Sequence, residues 1–316
     1  VSMANFVPTI RASEAGIRIN PRGLLACVPG VSTYVGGDVV AGVVASGMDE
    51  EEELTVLIDV GTNGEIVLGS KEWLISAAAS AGPAFEGSGV SCGMRATNGA
   101  IQRVRLESPE KVIIETIGGA KPRGICGSGY IDALAELFLH RILERDGKIS
   151  RSIKSSRIRE METGLEFVLA FKDETSIGAD IVITEQDIEN LKRSKASIYS
   201  ATATLLGKLN LGFNDVKRFY IAGGFGTYLD IEKAVTIGLL PDFDRSRFTF
   251  IGNSSIVGAR EALLSYEAFH KAEEIASKMT YLELSVEPGY MDEYIKALFF
   301  PHTDLARFAS VKVHAA

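Results

Sequence analysis

The sequence predicts an α/β or α+β domain, and two observations indicate it. First, the short apolar runs LTVLIDV, EIVLG, EWLISAA, AIQRVRL and KVIIETIGG have the length and β-branched content of strands. Second, KRFYIAGGFGTYLDIEKAV and RFTFIGNSSIVGAREALLSY each follow the order strand, Gly-rich turn, helix. Strands followed by alternating strands and helices are typical of a sheet covered by helices.

The first predicted helix lies within residues 21–48. Its stretch DVVAGVVAS places valines at helical spacing with small residues between them, so we expect close packing against another helix. The acidic run at 49–53 then predicts a solvated turn. The first two strands are separated by Thr-Asn-Gly, which favours a tight hairpin.

Two longer helices are predicted in the middle of the chain. The first is GSGYIDALAELFLHRILERDG, with Gly127 or Ser128 as its cap and the last glycine as its end. Residues 148–183 are more polar and predict a surface insertion with one strand, LEFVLAF. In the second helix, Thr184 and Asp187 have the spacing of a capping box.

Composition excludes several classes of protein. The chain has 316 residues, 46% of them hydrophobic and 23% charged, which is ordinary for a globular protein. A formal net charge of -8 without a basic tract argues against nucleic-acid binding. No apolar run approaches the length needed to span a membrane.

The three cysteines, Cys27, Cys92 and Cys126, are far apart in the sequence and form no CxxC motif. Most iron–sulfur clusters need four thiolates, so this chain is not expected to hold one. Reduced and mostly buried thiols in a cytosolic protein are the better interpretation.

Four Gly-rich turns are candidates for phosphate binding: DVGTNGE, GICGSG, AGGFGT and IGNSS. Backbone N–H groups in such turns can point at a phosphate, with added donors from Thr62 or Ser128. Asp59 has the chemistry to hold Mg²⁺ through water. Each turn alone is also explained as a plain hairpin, a tight connection or a helix cap, and none is a P-loop or a dinucleotide fingerprint.

The order of these turns resembles the second lobe of the actin-like ATPase superfamily, an RNase H-like α/β lobe. Longer strings narrow the resemblance to the reductive activators of corrinoid proteins. They are VPGVSTYVGGDVVAGVV, LIDVGTNGEIVLG, SAAASAGPAFEGSGVSCGMRATNGAIQRV, GICGSGYIDALAEL, FYIAGGFGTYLDIEKAVTIGLLP and GNSSIVGAREALL. They cover most of residues 24–265.

The resemblance implies a cytoplasmic, homodimeric protein that uses ATP and Mg²⁺ to return the cobalt of a corrinoid methyltransferase protein from Co(II) to Co(I). The family's 2Fe–2S cluster belongs to an upstream domain. Only one DxGT-type loop is present here. We therefore expect residues 1–53 to be the tail of a first lobe with its connecting helix, and 54–316 to be the second lobe. The chain is then a C-terminal portion of a longer activator or a natural short homologue.

The resemblance also suggests roles for individual residues. Asp59, Glu86 and Asp38 are the candidate catalytic carboxylates, although Glu86 and Asp38 are equally explained as caps or structural groups. Asn253 is a candidate nucleotide contact or a helix cap. The full nucleotide-binding set is Gly61, Thr62, Asn63, Gly64, Glu65, Gly223, Gly224, Phe225, Gly226 and Asn253.

Two other functions remain open from the sequence. One is a small-molecule kinase of the same superfamily, which would need an acceptor pocket between two complete lobes. The other is a non-catalytic module that dimerises and docks a corrinoid protein. A histidine-based mechanism is not favoured, because all four histidines lie outside the Gly-rich turns.

Overall fold

The structure, a computed structural model, describes residues 8–224 and 229–312. The first half contains β1 (Ile10–Arg11), β2 (Leu24–Leu25), α1 (Gly37–Ser46), β3 (Thr55–Val60), β4 (Gly64–Ser70), β5 (Trp73–Ala79), β6 (Ala100–Ser108), β7 (Lys111–Thr116), β8 (Gly124–Ile125) and α2 (Gly127–Leu139). The second half contains β9 (Ile158–Met161), β10 (Gly164–Ala170), β11 (Ile181–Thr184), α3 (Glu185–Lys208), β12 (Arg218–Ala222), α4 (Ile231–Thr236), β13 (Phe248–Gly252), α5 (Ser254–Leu264), α6 (Tyr266–Lys278), β14 (Met279–Tyr281) and α7 (Tyr290–Ala297).

A mixed six-stranded sheet organises the domain, in the order β13-β12-β3-β4-β5-β14. The strands β3, β12 and β13 run parallel, whereas β3, β4 and β5 form an antiparallel meander. Strand β14 pairs in parallel with β5 at the other edge. Two three-stranded sheets, β7-β6-β8 and β11-β10-β9, complete the fold, so the predicted α/β class is confirmed.

Both faces of the central sheet are buried, which explains the nearly continuous apolar run of β3. Val56 and Ile58 face the larger core, which includes residues of α2 and α3. Leu57 faces the opposite way, into a smaller core with α1 and α6. Because successive side chains of a strand point to opposite faces, one strand supplies both cores.

The predicted close packing of the first helix is confirmed. Helix α1 lies against α5, and a side chain at Gly258 would collide with the backbone of Ala41. On the other helix, a Cβ at Gly42 would lie 3.0 Å from the Ser254 hydroxyl. The small residues of α1 and α5 therefore allow the two helix backbones to approach.

The predicted capping box of α3 is also confirmed. The Asp187 amide donates to the Thr184 hydroxyl at 3.1 Å, and the Thr184 amide donates to the Asp187 carboxylate at 3.0 Å. The same carboxylate accepts the Ser91 amide at 2.8 Å. A local cap thus also fixes a loop distant in sequence.

Three local predictions are wrong. Helix α2 ends at Leu139, because the amides of Ile142 and Leu143 bond back to the Leu137 carbonyl and turn two apolar side chains into the core. Its N-cap is Cys126, with no side-chain cap bond. The 148–183 segment has three strands rather than one, and six of the seven β10 residues are buried.

The acidic run at 49–53 is only partly solvated. The Asp49 side chain is 8% exposed and lies 3.3 Å from the Lys271 ammonium group of α6. Lys271 also pairs with the exposed Glu50 at 2.6 Å. The run therefore attaches the end of α1 to α6, which a count of charges does not reveal.

Candidate functional site

Three of the predicted turns lie at one edge of the central sheet. Strands β3, β12 and β13 are parallel neighbours, so their carboxyl ends meet there. The turn at 61–63 follows β3, Gly223 and Gly224 follow β12, and Asn253 follows β13. Ligands of α/β sheets bind outside the carboxyl ends of strands, which makes this edge the candidate site.

The first turn is a regular hairpin with an exposed tip. Val60 pairs with Gly64, and the Gly61 amide donates to the Asn63 carbonyl at 2.9 Å. Thr62 and Asn63 are exposed between them. The plain-hairpin interpretation is thus correct for the backbone, while the tip remains free to meet a ligand.

A short 3₁₀ segment contacts this tip. The Thr62 hydroxyl donates to a carboxylate oxygen of Glu86 at 2.7 Å, across to the short 3₁₀ segment Pro83–Glu86. Glu86 is exposed and is not a helix N-cap. Its hydrogen bond fixes the orientation of the Thr62 side chain.

Helix α3 packs against the hairpin. A Cβ at Gly64 would lie 2.8 Å from a side-chain carbon of Ile198, so any larger residue there would force the Ile198 side chain to move. Nearby, Ser194 donates its hydroxyl proton to the Ala81 carbonyl at 2.5 Å. Sequence reasoning missed both contacts with α3, because no local pattern connects residues so far apart.

The site concentrates negative charge. Burial, together with the smaller effect of the negative charges of Asp38 and Glu86, raises the pKa of Asp59 to about 6. Glu65 lies opposite Asp59 across the hairpin, and burial, then Asp59 and Asp38, raise its pKa to about 7 against a hydrogen bond from Asn63. Carboxyl groups in such surroundings favour a bound cation or proton.

Asp38 reaches this cluster from the first turn of α1. Its side chain makes no capping hydrogen bond, since the N-cap is Gly36. Asp38 is exposed, unlike the partly buried Asp59 and Glu65. The cap interpretation of Asp38 is therefore wrong, and the structure brings all four carboxylates together.

The turns after β12 and β13 differ in how much space they leave for a ligand. The Gly223 amide donates to the Gly252 carbonyl at 3.0 Å, and Gly223 has a φ of 112°, with Val60 where a side chain would be. Gly224 faces open space. Asn253 caps α5 by accepting the Ile256 amide at 3.1 Å, as the alternative interpretation predicts. Phe225 and Gly226 lie outside the described residues.

The donor set suits Mg²⁺ held through water rather than by a full protein cage. Within residues 8–224 and 229–312, no group of three or more His, Cys, Asp and Glu side chains is arranged to hold a metal ion directly. Asp59 is a partly buried carboxylate with two carboxylate neighbours, which fits an outer contact to a hydrated cation.

The cysteines do not form a cluster site. Cys27 is exposed, Cys92 is half-buried and Cys126 is buried, so the prediction of mostly buried thiols is wrong. All three are free thiols, and Cys126 donates to the Ile101 carbonyl at 3.2 Å. The described part of the chain also contains no helix long and apolar enough to cross a membrane.

Comparison with known proteins identifies the family. Residues 53–312 match the family model described as the C-terminal domain of RACo, the ASKHA domain, and residues 1–51 match the RACo middle region. In structure, the chain is similar to a reductive activator for corrinoid, iron–sulfur protein, with a TM-score of 0.94 and 53% identity, over 98% of this chain and 49% of the other.

Two curated relatives agree with this match. The corrinoid activation enzyme RamQ of Eubacterium limosum is 32% identical over 92% of this chain and 50% of its own length. The Co(II) methylated amine-specific corrinoid protein reductase of Methanosarcina barkeri is 28% identical over 86% of this chain and 51% of its own length. The chain spans about half the length of each. Its fold is that of the actin-like ATPases, and the chain belongs to the RACo family of corrinoid-protein reductive activators, of which it contains the C-terminal ASKHA domain.

Proposed function

We propose that this chain is the ATP-binding portion of an activator that returns the cobalt of a corrinoid methyltransferase protein from Co(II) to Co(I). The observation that carries the proposal is the convergence of three Gly-rich turns on a carboxylate cluster at one sheet edge. The printed names of the relatives support the choice of corrinoid proteins as partners.

The overall reaction adds one electron to Co(II), giving Co(I), while ATP and water become ADP and phosphate. The cysteines of this chain do not fit a cluster, so the electron is expected from a 2Fe–2S cluster in an upstream domain. ATP hydrolysis supplies the driving force for an otherwise unfavourable transfer. This chain contributes the change of conformation that accompanies nucleotide binding.

In this proposal the turns hold the nucleotide. The hairpin tip, from Gly61 to Gly64, would face the β- and γ-phosphates, and the Gly61 amide and the Thr62 hydroxyl would exchange their bonds to Asn63 and Glu86 for bonds to phosphate. Gly223 and Gly224 line the adenosine side together with Phe225 and Gly226, and Asn253 approaches from the start of α5.

The four carboxylates supply the negative charge that a cation would neutralise in the same site. Asp59 would hold Mg²⁺ through water, and Glu65 lies opposite Asp59 in the hairpin. Glu86 orients Thr62 through its 2.7 Å hydrogen bond, and Asp38 completes the negative field. Bound Mg²⁺ neutralises phosphate charge and polarises the phosphoryl group.

The organisation of the whole protein is part of the proposal. Residues 1–53 would be the tail of a first lobe with its connecting helix, and 54–316 the second lobe. The 148–183 segment would be a family-variable part of that second lobe. We propose a homodimer that acts in the cytoplasm.

The experiment measures MgATP binding by calorimetry and recovery of Co(I) by absorbance, with the full-length protein and its corrinoid partner. We expect ATP-dependent recovery that needs more ATP with Thr62→Ala and is lost with Gly224→Val, whose side chain would fill the open space beside Gly224. Gly207→Ala, on α3 with no atom near its added carbon, is the matched control. ATP-independent recovery, or two variants as active as the parent, would overturn the proposal.

A further inference from the structure

Helix α5 carries an apolar face that the described part of the chain leaves uncovered. Its large apolar side chains are between 43% and 83% exposed: Ile256, Val257, Leu263 and Leu264. Tyr266, two residues after the end of α5, is 73% exposed. We call these five residues the α5 face. Single exposed apolar residues are ordinary on protein surfaces, whereas a group of them on one face marks an interaction site.

The residues of α5 are distributed in the reverse of the usual order for a surface helix. Its buried residues, Ser254 and Gly258, are small, lie one turn apart and face α1. The four large apolar residues, at positions i, i+1, i+7 and i+8 from Ile256, lie on the opposite side. A surface helix normally buries its large apolar side chains and exposes its polar ones. Helix α5 is therefore built to pack between two partners, of which α1 is one.

The chemistry of the α5 face fits a mainly apolar partner. Arg260 and Glu261 are the charged residues of α5, one of each sign, so the helix has no net charge to attract an acidic or a basic partner. The stem of Arg260 can pack along apolar surface while its guanidinium group stays at the rim. Surfaces of this composition are typical of permanent contacts rather than of transient ones.

The surroundings of α5 indicate which partner this is. Helix α1, against which α5 packs, lies within residues 1–51, which match the middle region of the family. This chain spans about half the length of its curated relatives. The segment before α1 also exposes large apolar side chains, at Ile17, Ile19, Leu24 and Tyr34. The middle-region residues and α5 thus share a need for apolar contacts that the other half of a full-length protein can supply.

We propose that the α5 face is the docking surface for the upstream half of the full-length protein, meaning the part that precedes residue 1. This partner is favoured over a second copy because α5 packs on α1, and α1 belongs to the region that continues into the upstream half in the proposed organisation. A tethered partner is also present at a high effective concentration. The inference rests on the proposed function, in which residues 1–53 are the tail of a first lobe.

Hydroxyl-radical footprinting of the full-length protein tests this without any substitution. In this chain Leu263 is 83% exposed, whereas Ile177 in the β10–β11 loop is 49% exposed. Leucine and isoleucine have similar intrinsic reactivity, so exposure decides which is labelled faster. We expect the order to be reversed, with Leu263 labelled more slowly than Ile177, because the upstream half covers Leu263. Faster labelling of Leu263 would refute the proposal.

Cross-linking identifies what covers the α5 face. The photoreactive residue p-benzoylphenylalanine in place of Leu263 should join to a peptide of the upstream half of the same chain, with a yield that does not depend on protein concentration. The same residue in place of Ile177 is the control and should give no such product. Products between two copies that increase with protein concentration would assign the face to a dimer and overturn the proposal, as would no product at position 263.

Recovery of Co(I) separates this inference from the proposed function. A full-length protein that shows ATP-dependent recovery but a freely labelled Leu263 refutes the docking surface alone. Protection of Leu263 without ATP-dependent recovery overturns the proposed function, while the docking surface stands.

Discussion

Neutralising Asp59 should make the ligand-free protein more stable, although Asp59 is a candidate catalytic residue. The pKa of Asp59 is raised from 3.8 to about 6, chiefly by burial. At 1.36 kcal/mol for each unit, ionising this group in the folded state costs about 3 kcal/mol relative to the unfolded chain. Asp59→Asn removes that cost, and it also relieves the repulsion that raises the pKa of Glu65.

The pH dependence has a definite sign. The folded pKa of Asp59 lies above its unfolded value, so the stability it provides is complete below about pH 4 and is lost as pH rises through about 6. For Glu65, the same loss extends from about 4.5 to about 7. The gain from Asp59→Asn should therefore be 1–3 kcal/mol at about pH 8 and small at about pH 4.

Urea unfolding of the parent and the variant at both pH values, without nucleotide, measures this difference. Glu72→Gln, an exposed carboxylate at the β4–β5 turn, is the control and should change stability little at either pH. An Asp59→Asn protein that is destabilised equally at both pH values would refute the reasoning, because the carboxylate would then be stabilising the fold. Stabilisation with loss of MgATP binding is the expected pair of results.

Two further predictions concern the hairpin and the helix pair. Thr62→Ala removes the hydroxyl that bonds Glu86 and should weaken MgATP binding roughly tenfold by calorimetry, while Thr62→Ser should keep it; equal loss in both would contradict this. Gly258→Ala places a methyl group against Ala41 and should cost about 2 kcal/mol in urea unfolding. Gly207→Ala, with open space around it, should gain about 0.5–1 kcal/mol; a loss from both glycine changes would show that packing does not decide the outcome.

Local signals in the sequence were sufficient for the elements they encode. The capping box of Thr184 and Asp187 and the Thr-Asn-Gly hairpin form as predicted, because each depends on residues a few positions apart. The early end of α2 was not predictable in this way. It results from Ile142 and Leu143 turning back into the core, a tertiary effect that overrides helix propensity.

The same distinction between local and tertiary contacts applies to the candidate site. Sequence order and Gly-rich turns identified the hairpin and the turns after β12 and β13. The convergence of Asp38 with Asp59 and the contact of Ile198 beneath Gly64 depend on how α1 and α3 pack, and no spacing in the sequence encodes them. The capping role of Asn253 was among the predicted alternatives and is confirmed.

The contact between Gly64 and Ile198 also has a mechanical consequence. Helix α3 has 24 residues, about 36 Å of rigid rod, and it touches the hairpin near its middle. If α3 tilts about this contact, its two ends move in opposite directions. The far end, around Leu206 and Lys208, forms one wall of a cavity of about 810 Å³. Helix α3 is therefore a continuous connection between the hairpin and the cavity, and we expect a spectroscopic label near Lys208 to report any displacement of the hairpin that tilts the helix.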